Sequence, residues 1–208
     1  MLNQIASALH RNDEAPNVQL ADKLVASQDS KGISEIVFGL TMDKATANDC
    51  IKVLYEIGEQ APMLIIPYVD VFLDLLKSKN NRLIWGGMTA LAQITHLCPR
   101  KIFARWKDVY AAFETGSVIT VDNSISVFAG LCKANSEYER VVLPILMNHF
   151  ANCRAKEIPQ HLERAAICMT PDNAEQFQSI MQERDNEMTN PQQTRVRKVL
   201  KGAGFSCE

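Results

Sequence analysis

Hydrophobic residues recur along this chain at two spacings, a short one set by helical geometry and a long one that repeats whole segments. Leu54, Leu91, Phe128 and Ala165 stand a step of 37 apart (54 to 91, 91 to 128, 128 to 165), and Ile57, Ile94, Leu131 and Cys168 repeat that step three residues later. Ala92, Ala129 and Ala166 follow it as well. Residues three apart share one helical face, so each copy presents an apolar stripe with a small residue beside it, as close helix packing needs.

A second stripe follows each first one. Val69, Trp106 and Leu143 keep the same step, as do Phe72, Val109 and Leu146, then Leu73, Tyr110 and Met147, then Leu76, Phe113 and Phe150. Within one copy these are i, i+3, i+4 and i+7 positions, which predicts an amphipathic helix. The last copy, with Phe177, Ile180 and Met181, arrives three residues early, as a shortened turn would produce.

Helices are predicted near 3–10, 17–28, 32–41, 46–60, 63–78, 82–97, 100–115, 120–134, 137–153, 157–168, 172–187 and 191–201. Thr46 with Asp49 and Ser136 with Glu139 have capping-box spacing. Thr170-Pro171-Asp172 and Asn190-Pro191 read as caps before a first-turn proline, and Pro62 and Pro99 fall at corresponding turns. The pattern predicts one domain over 1–208, with repeats near 17–43, 46–79, 82–116, 119–154 and 157–187 and a capping helix at 190–202.

The residues Leu64-Ile65-Ile66-Pro67-Tyr68-Val69, the turn Lys77-Ser78-Lys79-Asn80-Asn81 and the following Ala90-Leu91-Ala92-Gln93-Ile94 together resemble a HEAT repeat. Val142-Leu143-Pro144-Ile145-Leu146 repeats its proline-bearing second helix. The resemblance, over roughly residues 17 to 201, is to the HEAT/armadillo family of α-helical repeats. It implies an all-α, right-handed α-α superhelix of about five helix-turn-helix repeats. The step of 37 is shorter than the family's usual spacing of about 40–47 and longer than the tetratricopeptide value of about 34.

Composition fits an ordinary folded protein: 208 residues, 47% hydrophobic and 22% charged. The formal charge of -2 supplies no field for a polyanion, which disfavours nucleic acid and anionic membranes. No apolar run of about 18 residues occurs, so no membrane span is expected. Nor does Met1 to His10 read as an export leader, and a cytoplasmic location is expected. Six cysteines, Cys50, Cys98, Cys132, Cys153, Cys168 and Cys207, contain no CxxC pair and read as small hydrophobes in a reducing compartment.

Few residues stand at spacings that catalytic chemistry needs. His10, His96, His149 and His161 are scattered, with no HExxH motif, so no metal or other cofactor is expected. Nucleophile elbow, phosphate loop and dinucleotide fingerprint are missing, and Gly202-Ala203-Gly204 has no following helix. Glu56 with Glu59 and Asp70 with Asp74 share helical faces, which an exposed surface explains without catalysis. Gly86-Gly87 reads as close packing or a kink in preference to a substrate-approach site, and Trp106 as core because its 37-step partners are apolar.

Trp85 differs, since its partners at that step are Asn48 and Asp122, and it reads either as an exposed contact residue or as packed under a neighbouring loop. The family resemblance implies binding along the second helices. Their outward positions are Asp70, Val71 and Asp74, then Lys107, Asp108 and Ala111, then Pro144, Ile145 and Asn148. This mixed-charge stripe suits a protein or peptide partner, and the expectation is a non-catalytic scaffold. An alkylpurine DNA glycosylase-type reading also occurs among HEAT-like solenoids, but the chain lacks the basic excess it needs. The basic segment with Arg195, Arg197, Lys198 and Lys201 reads either as a solvated cap or as a grip on an acidic partner.

Overall fold

A computed structural model describes residues 1–204, and Cys207 lies outside the described residues. All regular elements there are helical, with no strand. They are α1 (Ala15–Ser27), α2 (Ser30–Gly39), α3 (Lys44–Gln60), α4 (Val69–Leu75), α5 (Asn81–Ile94) and α6 (Pro99–Ala104), followed by α7 (Trp106–Thr115), α8 (Val118–Ala134), α9 (Ser136–Asn152), α10 (Ile158–Ala165), α11 (Ala174–Glu183) and α12 (Asn190–Gly202). Short 3-10 turns punctuate them. No helix among the described residues is long and apolar enough to cross a membrane.

Side-chain caps set several helix starts. Asp43 accepts from the N–H groups of Ala45 and Thr46 at 3.0 and 3.2 Å, and Asn135 accepts from Glu137 at 2.7 Å. Thr46 and Ser136, expected as caps, are instead inside α3 and α9, because these better-placed acceptors lie just upstream. A capping box does form at α12, from Thr189 and Gln192 and not from Asn190. Upstream of α11, Asn173 accepts from the Thr170 N–H at 2.8 Å, and Pro171 and Asp172 lie in a turn before the helix.

Several predicted helices are shorter or broken. Residues 3–10 form a 3-10 turn at Leu2–Gln4 and irregular turns beyond it, although Ile5 and Ala6 are buried. The 63–78 helix opens as the 3-10 turns Pro62–Leu64 and Ile66–Tyr68, and only Val69–Leu75 is α-helical. Pro67 lacks an N–H and disfavours helical geometry at Ile66. The 100–115 helix breaks at Arg105 (φ −120, ψ 26), which separates α6 from α7. Both predicted helices from 157 to 187 end in 3-10 turns, at Ala166–Cys168 and Asp185–Glu187.

The described chain divides into two compact units, one from Met1 to Ser124 and one from Ile125 onward, the division falling within the sequence of α8. In the first, α3 packs between α1 and α5, α2 lies against α3 and α4 against α5. Leu54, Ile57, Leu91 and Ile94 are completely buried there, as are Val69, Phe72 and Leu73. Gly86 and Gly87 permit this approach: a Cβ on Gly86 would lie 2.5 Å from Ile51 Cγ1, and one on Gly87 3.1 Å from the Phe72 carbonyl oxygen. In the second unit α9 packs on α11 and α10 on α12. Phe150 meets Phe177 edge to face at 6.0 Å, both rings fully buried.

The second-helix stripes are less completely covered than their spacing predicts. Trp106, Tyr110, Met147 and Ile180 are only half-buried. Trp106 opens α7 just after the break at Arg105; its indole packs on Tyr110 at 6.3 Å and has the Lys107 ammonium 6.0 Å from its ring centre.

Candidate functional site

On the first unit, α4 and the α6–α7 corner bring five of the expected contact residues onto one polar face. Asp70, Val71 and Asp74 project from α4, and Lys107 and Asp108 from the first turn of α7. The break at Arg105 matters here, because it frees that guanidinium to bridge neighbouring elements. Arg105 donates to Asp74 at 2.6 Å and to Asp108 at 2.8 Å, Lys101 pairs with Asp70 at 3.3 Å, and Lys77 pairs with Asp108 at 3.0 Å. The result is a ladder of alternating charge.

Its members differ in solvation. The Asp70 and Asp74 side chains are 64% and 71% exposed, whereas Asp108 is 21% exposed. Burial would raise the Asp108 carboxyl, but its bonds from Lys77 and Arg105 overcome this and hold it below the ordinary carboxylate range. Asp108 is therefore the anchored end of the ladder, and Asp70 and Asp74 are its open rim. Val71 is half-buried between them, and Lys107 points to solvent.

Trp85 stands on a first helix, α5, and is half-buried. Its ring packs on Tyr55 at 5.6 Å, and the Arg82 guanidinium lies 4.5 Å over its centre. Arg82 also pairs with Glu14, and Lys52 pairs with Glu56 and, at 3.4 Å, with Glu14. Burial would lower the Lys52 ammonium, yet the Glu56 bond and the Tyr55 hydroxyl hold it above its usual value. Trp85 is thus a fastened member of a first-helix cluster, separate in character from the α4 and α7 face.

In the second unit, Ile145 is half-buried and Asn148 exposed on α9, beside exposed Pro144. The Asn148 carbonyl and side-chain oxygens accept from Asn152 at 2.8 and 3.1 Å. The basic residues of α12 are partly engaged: Arg195 donates to both Glu163 oxygens at 3.0 and 2.7 Å, and Arg197 reaches Asp185 at 3.4 Å. With Val196 and Leu200 buried, α12 covers α10, and an open groove of about 550 Å³ remains between Glu163, Arg195 and Lys198.

The histidines do not stay scattered. His149, Cys153 and His161 each place a potential metal-ligating atom within 4.8 Å of the other two. His149 and Cys153 are four residues apart at the end of α9, and α10 brings His161 against them. The set has neither HExxH nor CxxC spacing, although His149 and Cys153 stand at i, i+4 in the sequence. Of the other described cysteines, Cys50, Cys132 and Cys168 are buried, and burial pushes the Cys50 thiol up to about 12.

No family model and no curated protein matches the sequence. Solved structures do match in shape. An engineered protein aligns over 98% of this chain and 98% of its own, with a TM-score of 0.61 at 16% identity. A designed armadillo repeat protein in complex with the peptide (KR)4 aligns over 97% of this chain and 98% of its own, with a TM-score of 0.67 at 10% identity. Helix pairs recurring at a fixed step, with no strand among the described residues, and these structural likenesses together make this an all-α repeat solenoid of the armadillo/HEAT-like fold.

Proposed function

We propose that this protein is a non-catalytic scaffold that binds a protein or peptide partner along its second helices, and that the α4 and α7 face receives basic side chains of that partner. The observation that carries this reading is the pair of highly exposed carboxylates, Asp70 and Asp74, one helical turn apart and each bonded to a cation of α6 or its C-terminal neighbour. Exposed ion pairs contribute only about 0–1 kcal/mol, so a partner's Lys or Arg can exchange for Lys101 or Arg105 at small cost. Val71 between them supplies an apolar contact. The designed armadillo protein that shares this fold was solved with a peptide of Lys and Arg, which lends the reading support. On the second unit, Ile145 and Asn148 are assigned to the same role.

Fluorescence anisotropy with a labelled (KR)4 peptide tests the proposal. Saturable binding is expected, weakened at least about tenfold in the Asp70→Asn/Asp74→Asn double variant, with circular dichroism unchanged because both positions are exposed. Absence of saturable binding, or equal affinity in the double variant, overturns it.

A further inference from the structure

We propose that His149, Cys153 and His161 form a zinc site, with two imidazole nitrogens and one thiolate as protein ligands and a fourth position open to water. The donor set comes from two elements, α9 with the residue that follows it and α10, so the site depends on the tertiary structure. His149 Nε2 and His161 Nδ1 face each other at 2.9 Å, their ring centres 4.9 Å apart. Cys153 Sγ completes a set in which the ligand atoms lie within 4.8 Å of one another.

These distances suit a tetrahedral ion. Bonds of about 2.0–2.1 Å to nitrogen and about 2.3 Å to sulfur place two nitrogens roughly 3.3 Å apart and nitrogen roughly 3.6 Å from sulfur. The imidazoles must part by about 0.4 Å and the thiol draw in by up to about 1.2 Å, the latter within reach of side-chain torsion. Two imidazoles and a thiolate are a borderline-soft set, which suits zinc and disfavours magnesium or calcium.

The surroundings hold the ligands in place. The Cys153 N–H donates to the His149 carbonyl at 2.7 Å, so helix termination fixes these two residues relative to each other. Arg184 donates to the carbonyls of Phe150 and Cys153 at 2.8 and 2.7 Å, clamping the same turn from α11's end. Phe150 meets His149 edge-on at 5.8 Å, and His161 is 1% exposed. His149 and Cys153 are only half-buried and leave an entry path.

Proton bookkeeping is simple. Burial pushes the Cys153 thiol up to about 11, against the pull of Arg184, so the metal-free residue carries its proton near neutrality. Coordination releases that proton to solvent. An ion between the rings needs a lone pair from each facing nitrogen, so both imidazoles must carry their proton on the outer nitrogen in the bound form.

Chelator-treated full-length protein should be titrated with Co²⁺ and then Zn²⁺. One equivalent of Co²⁺ is expected to produce tetrahedral d–d bands and a thiolate-to-cobalt charge-transfer band, both removed by Zn²⁺. Cys153→Ser should abolish the charge-transfer band. His149→Gln should weaken Zn²⁺ binding by at least about 100-fold, beyond the 10–100-fold typical of outer-shell changes. Both residues are half-buried, and circular dichroism confirms that the variants fold; His161, fully buried, is left intact. Absence of these bands in the wild type, their persistence in Cys153→Ser, or unchanged Zn²⁺ affinity in His149→Gln overturns the site.

Discussion

Replacing Gly86 with alanine tests whether the repeat stack depends on the close approach of α3 and α5. In an ordinary helix interior the change is favourable, since alanine exceeds glycine by about 0.8–1 kcal/mol in helix propensity. Here the new Cβ would lie 2.5 Å from Ile51 Cγ1 and 3.3 Å from Cγ2. Carbon atoms prefer about 3.5–4.0 Å, so the helices must part by roughly 1 Å. Ile51 is completely buried and β-branched, which leaves it little rotamer freedom to yield. Overpacking of this kind costs about 1–3 kcal/mol, so the net expectation is a loss of about 0–2 kcal/mol.

A double-mutant cycle with Ile51→Ala isolates the contact. That change alone should cost about 2–5 kcal/mol and removes both offending γ carbons. Within it, Gly86→Ala should recover its intrinsic gain of about 1 kcal/mol, giving a coupling of about 1–3 kcal/mol. Urea unfolding followed by circular dichroism, with m-values compared across the four proteins, measures this. If Gly86→Ala stabilises the wild type by about 1 kcal/mol and the cycle is additive within about 0.5 kcal/mol, the close-approach argument is wrong.

Two further outcomes follow from polar contacts in the first unit. Asn17, fully buried, accepts from the Ala6 N–H at 2.9 Å and donates to Asp49 at 2.8 Å, while Asp49 also accepts from the Ser7 N–H. Asn17→Ala should cost about 1–3 kcal/mol in urea unfolding and speed amide exchange at Ala6 and Ser7; unchanged exchange there would refute the clip. Asp108 has a folded pKa held below its unfolded value of about 3.9, so its contribution is complete above that pH and is lost as pH falls through the lower, folded value. Asp108→Asn should therefore flatten the acid limb of the stability profile, and an unaltered limb in pH-dependent melting would contradict the ladder.

Legibility in the sequence followed the range of the interactions. The step of 37 located four first-helix stripes, and Leu54, Leu91, Phe128 and Ala165 are all completely buried. Helical periodicity is local, and a recurring apolar face needs a neighbouring copy to shield it, so the stripes by themselves imply stacking. The glycine pair Gly86-Gly87 was legible for a similar reason, as two missing side chains between Trp85 and Met88.

Tertiary structure decided what lay beyond that range. The break at Arg105 left Trp106 only half-buried and gave Asp74 its cation, 31 residues away in sequence, just as Lys101 reaches Asp70 across 31. Spacing rules could rank Asp70 and Asp74 as outward, but not supply the partners that tether them. His161 came to His149 and Cys153 only through the corner between α9 and α10. One chain therefore fixed its elements and their stacking by short-range patterning, while its charge ladder and its cluster of metal-ligating groups arose from contacts whose geometry depends on where helices end and turn.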